Sequence, residues 1–258
     1  MMATFNSKPW QNLHRWAAAA VLIVASGIIF AHESQKQIFS ERARLEFQRA
    51  RTQYQSNPGN ATNAWRFASA AFDLADFATS DNERAAVANA GIAACRPLVA
   101  REPKIAAGHY YLAMNLGQLA RTELIGALNL VKEMEREFKM ASDLDARFDH
   151  AGPERNLGLL YRDAPGWPAS IGNQSQARSL LRQAVKLAPD YPENYLQLIE
   201  SYLKWKDPDG AKRELRALDA IWPAARASLT GEKWEQSWGD WSPRRAAARH
   251  QLDAAPAP

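Results

Sequence analysis

Cysteine is almost absent from the 258-residue sequence: Cys95 is the single one, so no intrachain disulfide can form. The 13 glycines and 14 prolines are too few for long flexible or Pro-rich linkers. Valine and isoleucine are scarce beside alanine, leucine and arginine, and such a composition favours helix over strand. The sequence therefore predicts an all-α fold that is stabilised by packing rather than by covalent cross-links.

Sequence patterns of catalysis and metal binding are missing as well. The five histidines stand apart from one another: His14, His32, His109, His150 and His250. There is no H-E-x-x-H pattern and no pair of cysteines that could bind zinc. Neither G-x-S-x-G nor G-x4-G-K-[ST] occurs. We therefore expect a protein that is not an enzyme and that uses no metal or other cofactor.

The sequence also lacks a large excess of positive charge. Lysine and arginine number 32 against 28 aspartates and glutamates, for a formal net charge of +4. Proteins that bind nucleic acids usually carry a pronounced basic surface. We therefore expect no nucleic-acid partner.

An uninterrupted apolar run lies near the N-terminus, from Trp16 to Ala31, behind a polar stretch that carries Lys8 and Arg15. A basic region followed by an apolar one is the layout of a secretory signal. As a helix, this run would span roughly 24 Å, less than the ~30 Å hydrocarbon core of a bilayer. Residues 1–31 are therefore predicted to form a hydrophobic helix that is either a cleaved signal peptide or an anchor that holds the protein to the membrane.

Residues recur with a period of about 34 in the C-terminal half. Two sets with the same internal spacing are Ala177, Leu181, Ala184 and Pro189, and Ala211, Leu215, Leu218 and Pro223. The pattern resembles that of the tetratricopeptide repeat, W-x2-L-G-x2-Y followed by A-x3-F and P. The resemblance implies a solenoid of stacked helix–turn–helix units, which we place over residues 60–222.

The repeat pattern is interrupted by an insertion. Leu157 and Gly158 belong to an intact L-G-x2-Y element that ends at Tyr161. The equivalent tyrosine, Tyr202, follows 41 residues later, seven more than the 34-residue period. Insertions in repeat proteins form loops on one face, which is often a functional face. Trp167 lies in this inserted loop, and we expect it either to pack back over the repeats or to anchor a partner.

The segments that flank the repeats differ in composition. Residues 32–59 are predicted to be a linker or a capping helix, because their sparse apolar residues have helical spacing. Residues 223–242 contain tryptophans on one helical face and are predicted to cap the last repeat. Residues 243–258 are rich in arginine, alanine and proline and are predicted to be disordered.

A narrower resemblance follows from four helix pairs, an over-long second pair, a Leu-Gly element before a Pro-Gly loop, and an export signal. These features are similar to those of the T-component of TRAP transporters, although the lipid-attachment cysteine of that group is missing. The resemblance implies a periplasmic protein that accompanies a binding protein for organic acids. It therefore implies export, followed by tethering to the inner membrane or by release after cleavage.

In tetratricopeptide proteins the first helix of each pair lines a groove, and the resemblance transfers these positions to the present sequence. The predicted groove residues are Tyr111, Asn115, Gln118, Arg155, Arg162, Glu193, Glu200 and Lys204, with Trp167 added from the inserted loop. The same register also assigns Arg66, Ala70, Asp73, Leu159 and Leu196 to the groove. Arg155 and Arg162 would present forked donors suited to a carboxylate. Alternatively, the polar members of this set form the ordinary solvated face of amphipathic helices.

Two functions are consistent with these patterns. The first is a non-catalytic scaffold that binds a protein or peptide partner in the cell envelope. The second is the capture of a small organic acid as an accessory of a TRAP-type transport system. An open groove would favour the first, whereas a tight cavity lined by Arg155, Arg162, Tyr111 and Asn115 would favour the second.

Overall fold

The computed structural model describes residues 13–123 and 126–254, with side chains from residue 35 onward. In this part of the chain the regular structure is helical, apart from an isolated β-bridge between Gly166 and Gly172. The helices are α1 (Leu13–Ser56), α2 (Ala61–Ala75), α3 (Asp81–Arg101), α4 (Ala106–Ala120), α5 (Ala127–Asp145), α6 (Phe148–Asp163), α7 (Gln174–Leu187), α8 (Pro192–Lys204), α9 (Pro208–Ser228) and α10 (Glu232–Asp253). The predicted all-α fold is confirmed for the described residues.

The predicted signal peptide or membrane anchor, residues 1–31, lies outside the residues whose side chains are described. Its nature stays a prediction. Within the described residues, no helix combines the length and the apolar character needed to cross a membrane. The chain divides into two compact units, residues 1–45 and 46–258. In the first unit, residues 35–45 are helical and mostly exposed, and Arg44 pairs with Glu41 at 3.7 Å.

Polar side chains fix the start of several helices in the second unit. At the start of α2, Asn60 Oδ1 accepts a hydrogen bond from the backbone N–H of Asn63 at 2.9 Å. Ser80, Asn173 and Asp207 cap α3, α7 and α9 in the same way. Each such cap satisfies an otherwise unpaired N–H group and is worth about 1 kcal/mol. These caps set the boundaries between successive helices.

The second unit is a succession of helical hairpins. The pairs α2–α3, α4–α5, α6–α7 and α8–α9 pack within themselves, and the first helices α2, α4, α6 and α8 also contact one another in order. The core between them contains completely buried large side chains, among them Leu112, Leu116, Leu181, Leu198 and Leu218. This arrangement confirms the helix–turn–helix repeat architecture predicted from the sequence.

Both ends of the repeats are covered by helices. At the N-terminal end, Phe47 and Tyr54 of α1 pack on the ring of Phe67, with centroid distances of 5.2 and 5.4 Å. At the C-terminal end, Trp238 and Trp241 of α10 are buried in the cluster formed by α8 and α9. The exposed apolar faces of the first and last hairpins are thereby removed from water.

The predicted disordered tail, residues 243–258, requires a correction because α10 continues well into this range. Ala248 and Leu252 are buried against α8 and α9. The side chain of Arg245 donates a hydrogen bond to Asp219 of α9 at 2.7 Å. The composition rich in arginine, alanine and proline suggested disorder, but Ala248 and Leu252 are spaced four apart and continue the buried face of Trp238 and Trp241.

Candidate binding groove

The two arginines predicted to bind a carboxylate instead connect α6 to α8. Arg155 is only 6% exposed, and its Nη1 donates hydrogen bonds to Asn194 Oδ1 at 2.8 Å and to the carbonyl of His150 at 3.2 Å. Arg162 Nη1 donates to the hydroxyl of Ser201 at 3.0 Å, and its Nη2 donates to Asp163 at 2.7 Å. Both guanidinium groups are therefore engaged within the fold.

The predicted residues of α4 form equivalent contacts with α2. Asn115 is completely buried, and its Nδ2 donates to the carbonyl of Ala68 at 2.8 Å. Gln118 donates from Nε2 to Asp76 Oδ1 at 2.6 Å. Tyr111 is half-buried and stacks on Trp65 with a centroid distance of 6.0 Å. These side chains hold consecutive first helices together.

The predicted residues of α8 are engaged by α10 and α6. Arg244 of α10 donates to Glu193 at 2.8 Å and to Glu200 at 2.7 Å. Burial opposes the charge on Arg244, but these carboxylates raise the pKa of its guanidinium above the usual value. Lys204 Nζ donates to Asp163 at 2.6 Å. α10 thus contacts α8 in the way that the first helix of another hairpin would, and its Arg244 pairs with both glutamates of α8.

An open cavity of about 450 Å³ lies between α2, α4, α5 and α6. We call it the groove. Its apolar lining consists of Phe72, Ala113, Met114, Gly117, Met134, Phe138, Leu159 and Leu160, and its polar lining consists of Asp76, Gln118, Arg121, Asn156 and Asp163. An apolar centre with a few polar groups around it is the usual composition of a binding site.

Of the nine predicted site residues, only Gln118 lines the groove. Leu159, which the repeat register also assigned to it, lines it as well. On α6 the polar residues that line the groove are Asn156 and Asp163. Each follows a predicted arginine, Arg155 or Arg162, by one position. The spacing of Asn156, Leu159, Leu160 and Asp163 at i, i+3, i+4 and i+7 marks a single helical face and was the available sequence signal.

Two carboxylates of the groove already have donors. Asp76 accepts hydrogen bonds from Gln118 and, at 3.3 Å, from Arg121 Nη1. Although partial burial opposes ionisation of Asp163, hydrogen bonds from Arg162 and Lys204 hold its pKa below the usual value. Both carboxylates therefore have hydrogen-bond donors within the fold.

Asp73 has a different environment. It lies one turn before Asp76 on α2 and lines a second cavity of about 300 Å³, together with Glu46, Arg49 and Arg66. Desolvation by the surrounding helices, followed by the negative charges of Asp76, Asp149 and Glu46, raises the pKa of Asp73 to about 7, although the residue is exposed to solvent. Burial and the nearby carboxylates therefore both oppose ionisation of Asp73.

Aromatic rings and a strained backbone segment adjoin Asp73. Phe148 lies nearly perpendicular to Trp65 and to Tyr111, at centroid distances of 6.5 and 6.0 Å. The next residue, Asp149, has a positive φ of 49°, as do the two residues that follow it, with φ of 54° and 64°. Such values are costly for residues with a Cβ. A hydrogen bond of 2.6 Å from the Tyr110 hydroxyl holds the Asp149 carboxylate in place.

The inserted loop between α6 and α7 exposes Trp167. Its side chain is 87% exposed, so it does not pack back over the repeats. The loop is closed at its base by hydrogen bonds from Gly172 N to Pro165 O at 2.8 Å and from Asn173 N to Tyr161 O at 2.9 Å. The alternative, in which Trp167 anchors a partner, stays a prediction.

Comparison with known proteins defines the class of fold. Residues 172–228 match the tetratricopeptide repeat family. The solved structure of a thermophilic TPR protein from Thermus thermophilus is similar over 84% of this chain and 93% of its own, with 19% identity and a TM-score of 0.57. The MamA protein is similar over 77% of this chain and 96% of its own, with 12% identity and a TM-score of 0.48. No curated protein matches the chain in sequence.

These findings support a helical-repeat protein of the tetratricopeptide type. The family match covers α7, α8 and α9, where the 34-residue period is clearest. The four hairpins and the contacts between successive first helices extend the same architecture through the rest of the second unit.

Proposed function

We propose that this protein is a non-catalytic scaffold that binds a protein or peptide partner in the groove between α2, α4, α5 and α6. The observation that carries the proposal is an open cavity with an apolar centre and a polar edge, built from the first helices of three successive hairpins and from α5. Its volume of about 450 Å³ falls within the range of ligand-binding clefts. Tetratricopeptide folds commonly supply such surfaces for extended or helical segments of a partner.

The apolar lining suits side chains of a partner rather than a small polar molecule. Met114 and Met134 both line the cavity, and a Cβ added at Gly117 would lie 3.0 Å from the Met134 methyl carbon. Methionine side chains adapt to ligands of different shape because they are unbranched and flexible. Phe72 lines the same cavity, is half-buried, and belongs to none of the core clusters in the described residues. It is therefore available for contact with a partner.

The test is a selection of binders from a random peptide display library with the full chain as bait. We expect selected peptides to bind the Phe72→Ala variant at least tenfold more weakly, because truncation of a central aromatic contact costs about 2 kcal/mol. The matched control is Leu128→Ala, which removes a 43%-exposed leucine of α5 that does not line the groove. Peptides that bind both variants as tightly as the original chain would show that the groove is not the binding site.

We also propose that the scaffold acts in the cell envelope, exported and either tethered to the inner membrane or released. Support comes from the apolar run between Trp16 and Ala31 behind Lys8 and Arg15. An alkaline phosphatase fused to the C-terminus would report the location, since the enzyme needs an oxidising compartment to fold. We expect phosphatase activity from the full-length fusion in a bacterial host, and we expect this activity to disappear when residues 1–31 are deleted. An inactive fusion to the full chain, with full-length protein present, would overturn this part of the proposal.

The alternative function, capture of an organic acid in a TRAP-type system, gains no support from the geometry. Arg155 and Arg162 are bonded to α8 and do not line the groove. Tyr111 and Asn115 do not line it either. The described cavity therefore lacks the set of donors on which that hypothesis depended, and partner binding is the function that the site supports best.

A further inference from the structure

The charge distribution beside the groove bears on the chemistry of the partner. Asp76 and Asp163 have donors within the fold, as described above. Asp73, by contrast, has no hydrogen-bond or ion-pair partner among the described residues, and it is exposed to solvent. A carboxylate that the fold leaves without a donor, beside an open apolar cavity, is available to a ligand.

The groups that face Asp73 come from four elements. α1 contributes Glu46 and Arg49, and α2 contributes Arg66 and Asp76. α4 contributes Tyr111, and α6 contributes Asp149. The charges that act most strongly on Asp73 are the three carboxylates, which all raise its pKa. Arg66 lines the same cavity but forms no ion pair with Asp73, and its guanidinium carbon lies 5.5 Å from the centroid of Trp65. The local field therefore favours an additional positive charge.

Aromatic side chains strengthen this preference. Trp65, Tyr111 and Phe148 are half-buried and in mutual ring contact. The negative charge of Asp149 acts on the Tyr111 hydroxyl, and so does that of Asp73, which places both carboxylates close to this cluster. Aromatic rings beside carboxylates attract lysine and arginine side chains by electrostatic and cation–π interactions.

The acidic region and the groove are close enough for one short segment to reach both. Phe72 and Asp76 line the groove, and Asp73 lies between them on α2. A helix rises about 1.5 Å per residue, so Asp73 and Asp76 are about 4.5 Å apart along the axis. An extended peptide advances about 3.3 Å per residue. One or two residues of a peptide therefore span the axial separation of Asp73 and Asp76.

We infer that the partner segment combines an apolar side chain, which enters the groove between Phe72, Met114 and Leu159, with a lysine or arginine one to three residues away that pairs with Asp73. This inference rests on the proposed function and specifies the partner's chemistry. It predicts a basic amphipathic segment rather than an acidic one.

The same peptide selection on the full chain tests the inference. We expect the selected sequences to be enriched in lysine or arginine next to an apolar residue. The Asp73→Asn variant should bind them about tenfold more weakly, and raised salt should weaken binding to the original chain more than binding to the variant. Asp143→Asn is the matched control, because Asp143 is an exposed acid of α5 that lines neither cavity. Since Asp73 makes no bond in the described fold, its substitution should leave the melting temperature undiminished.

The possible outcomes separate the two proposals. Peptides that depend on Phe72 but show no basic preference, or that bind Asp73→Asn as tightly as the original chain, would overturn this inference and leave the proposed function standing. Selection of acidic peptides in the groove would also overturn it. If no selected peptide depends on Phe72, the proposed function itself fails, and the inference fails with it.

Discussion

At the scale of single residues, His109 lies in an environment that favours its charged form. The side chain is buried, and its two ring nitrogens face Glu137 Oε2 at 2.6 Å and the carbonyl of Pro103 at 2.9 Å. Both neighbours are acceptors, so both nitrogens must carry a proton for both hydrogen bonds to form. The hydrogen bond with Glu137 accordingly raises the pKa of His109, although burial opposes this. Burial likewise opposes ionisation of Glu137, but its hydrogen bonds with His109 and Arg136 lower its pKa.

The pair should therefore stabilise the fold in a defined pH window. The contribution of His109 is complete below its ordinary pKa of 6.5 and is lost as the pH rises through the higher value of the folded state. That of Glu137 is complete above 4.5 and is lost as the pH falls through its lowered value. We expect His109→Gln to destabilise the protein by about 1.5–3 kcal/mol at a pH between these values, and by less at pH 9 or so. Urea unfolding at the two pH values measures the difference, and an equal loss at both would show that the imidazolium is not involved.

At the scale of helices, Gly158 determines how closely α6 and α7 approach. A Cβ at this position would lie 3.0 Å from Leu181 Cγ and 3.3 Å from the backbone oxygen of Ala177. The backbone atom cannot move aside without a shift of the whole helix. We expect Gly158→Leu to destabilise the fold by roughly 1–3 kcal/mol through overpacking. Thermal unfolding measures it, with Gly239→Leu as control, because an added Cβ at Gly239 meets no atom within 4 Å. Equal melting temperatures for the two variants would contradict the close packing.

The repeat architecture could be predicted from the sequence because its signals are local. Leu181 belongs to a pattern that recurs after 34 residues, and Gly158 belongs to an L-G-x2-Y element of the same repeat type. Such local patterns specify helical hairpins directly. The contacts between first helices are different, since Arg155 and Asn194 are 39 residues apart and their pairing depends on how hairpins stack. A change of one residue on a helix rotates a side chain by about 100°, so Asn156 lines the groove where Arg155 was expected.

At the scale of the whole chain, stability should be distributed as in other stacked repeats. Each hairpin contacts mainly its neighbours, so the free energy of unfolding is close to a sum of hairpin and interface contributions. In such a chain the first and last hairpins should unfold most easily, because one face of each has no neighbouring hairpin. At the N-terminal end, residues 46–56 of α1 cover the free face of the first hairpin. Their side chains Phe47, Ala50 and Tyr54 pack with Phe67 and Ala94.

Two truncations test whether this capping role is confined to the end of α1. The described core clusters contain no residue before Phe47. A fragment of residues 46–258 should therefore melt within about 4 °C of the full chain, which corresponds to roughly 1 kcal/mol for a protein of this size. A fragment of residues 57–258 lacks the three capping side chains, which leaves Phe67 uncovered, and it should melt at a clearly lower temperature with early proteolysis of α2 and α3. Circular dichroism and limited proteolysis measure both effects. Equal melting temperatures for the two fragments would show that residues 46–56 do not stabilise the repeats. A fragment 46–258 that melts far below the full chain would show that residues 1–45 are part of the folded core.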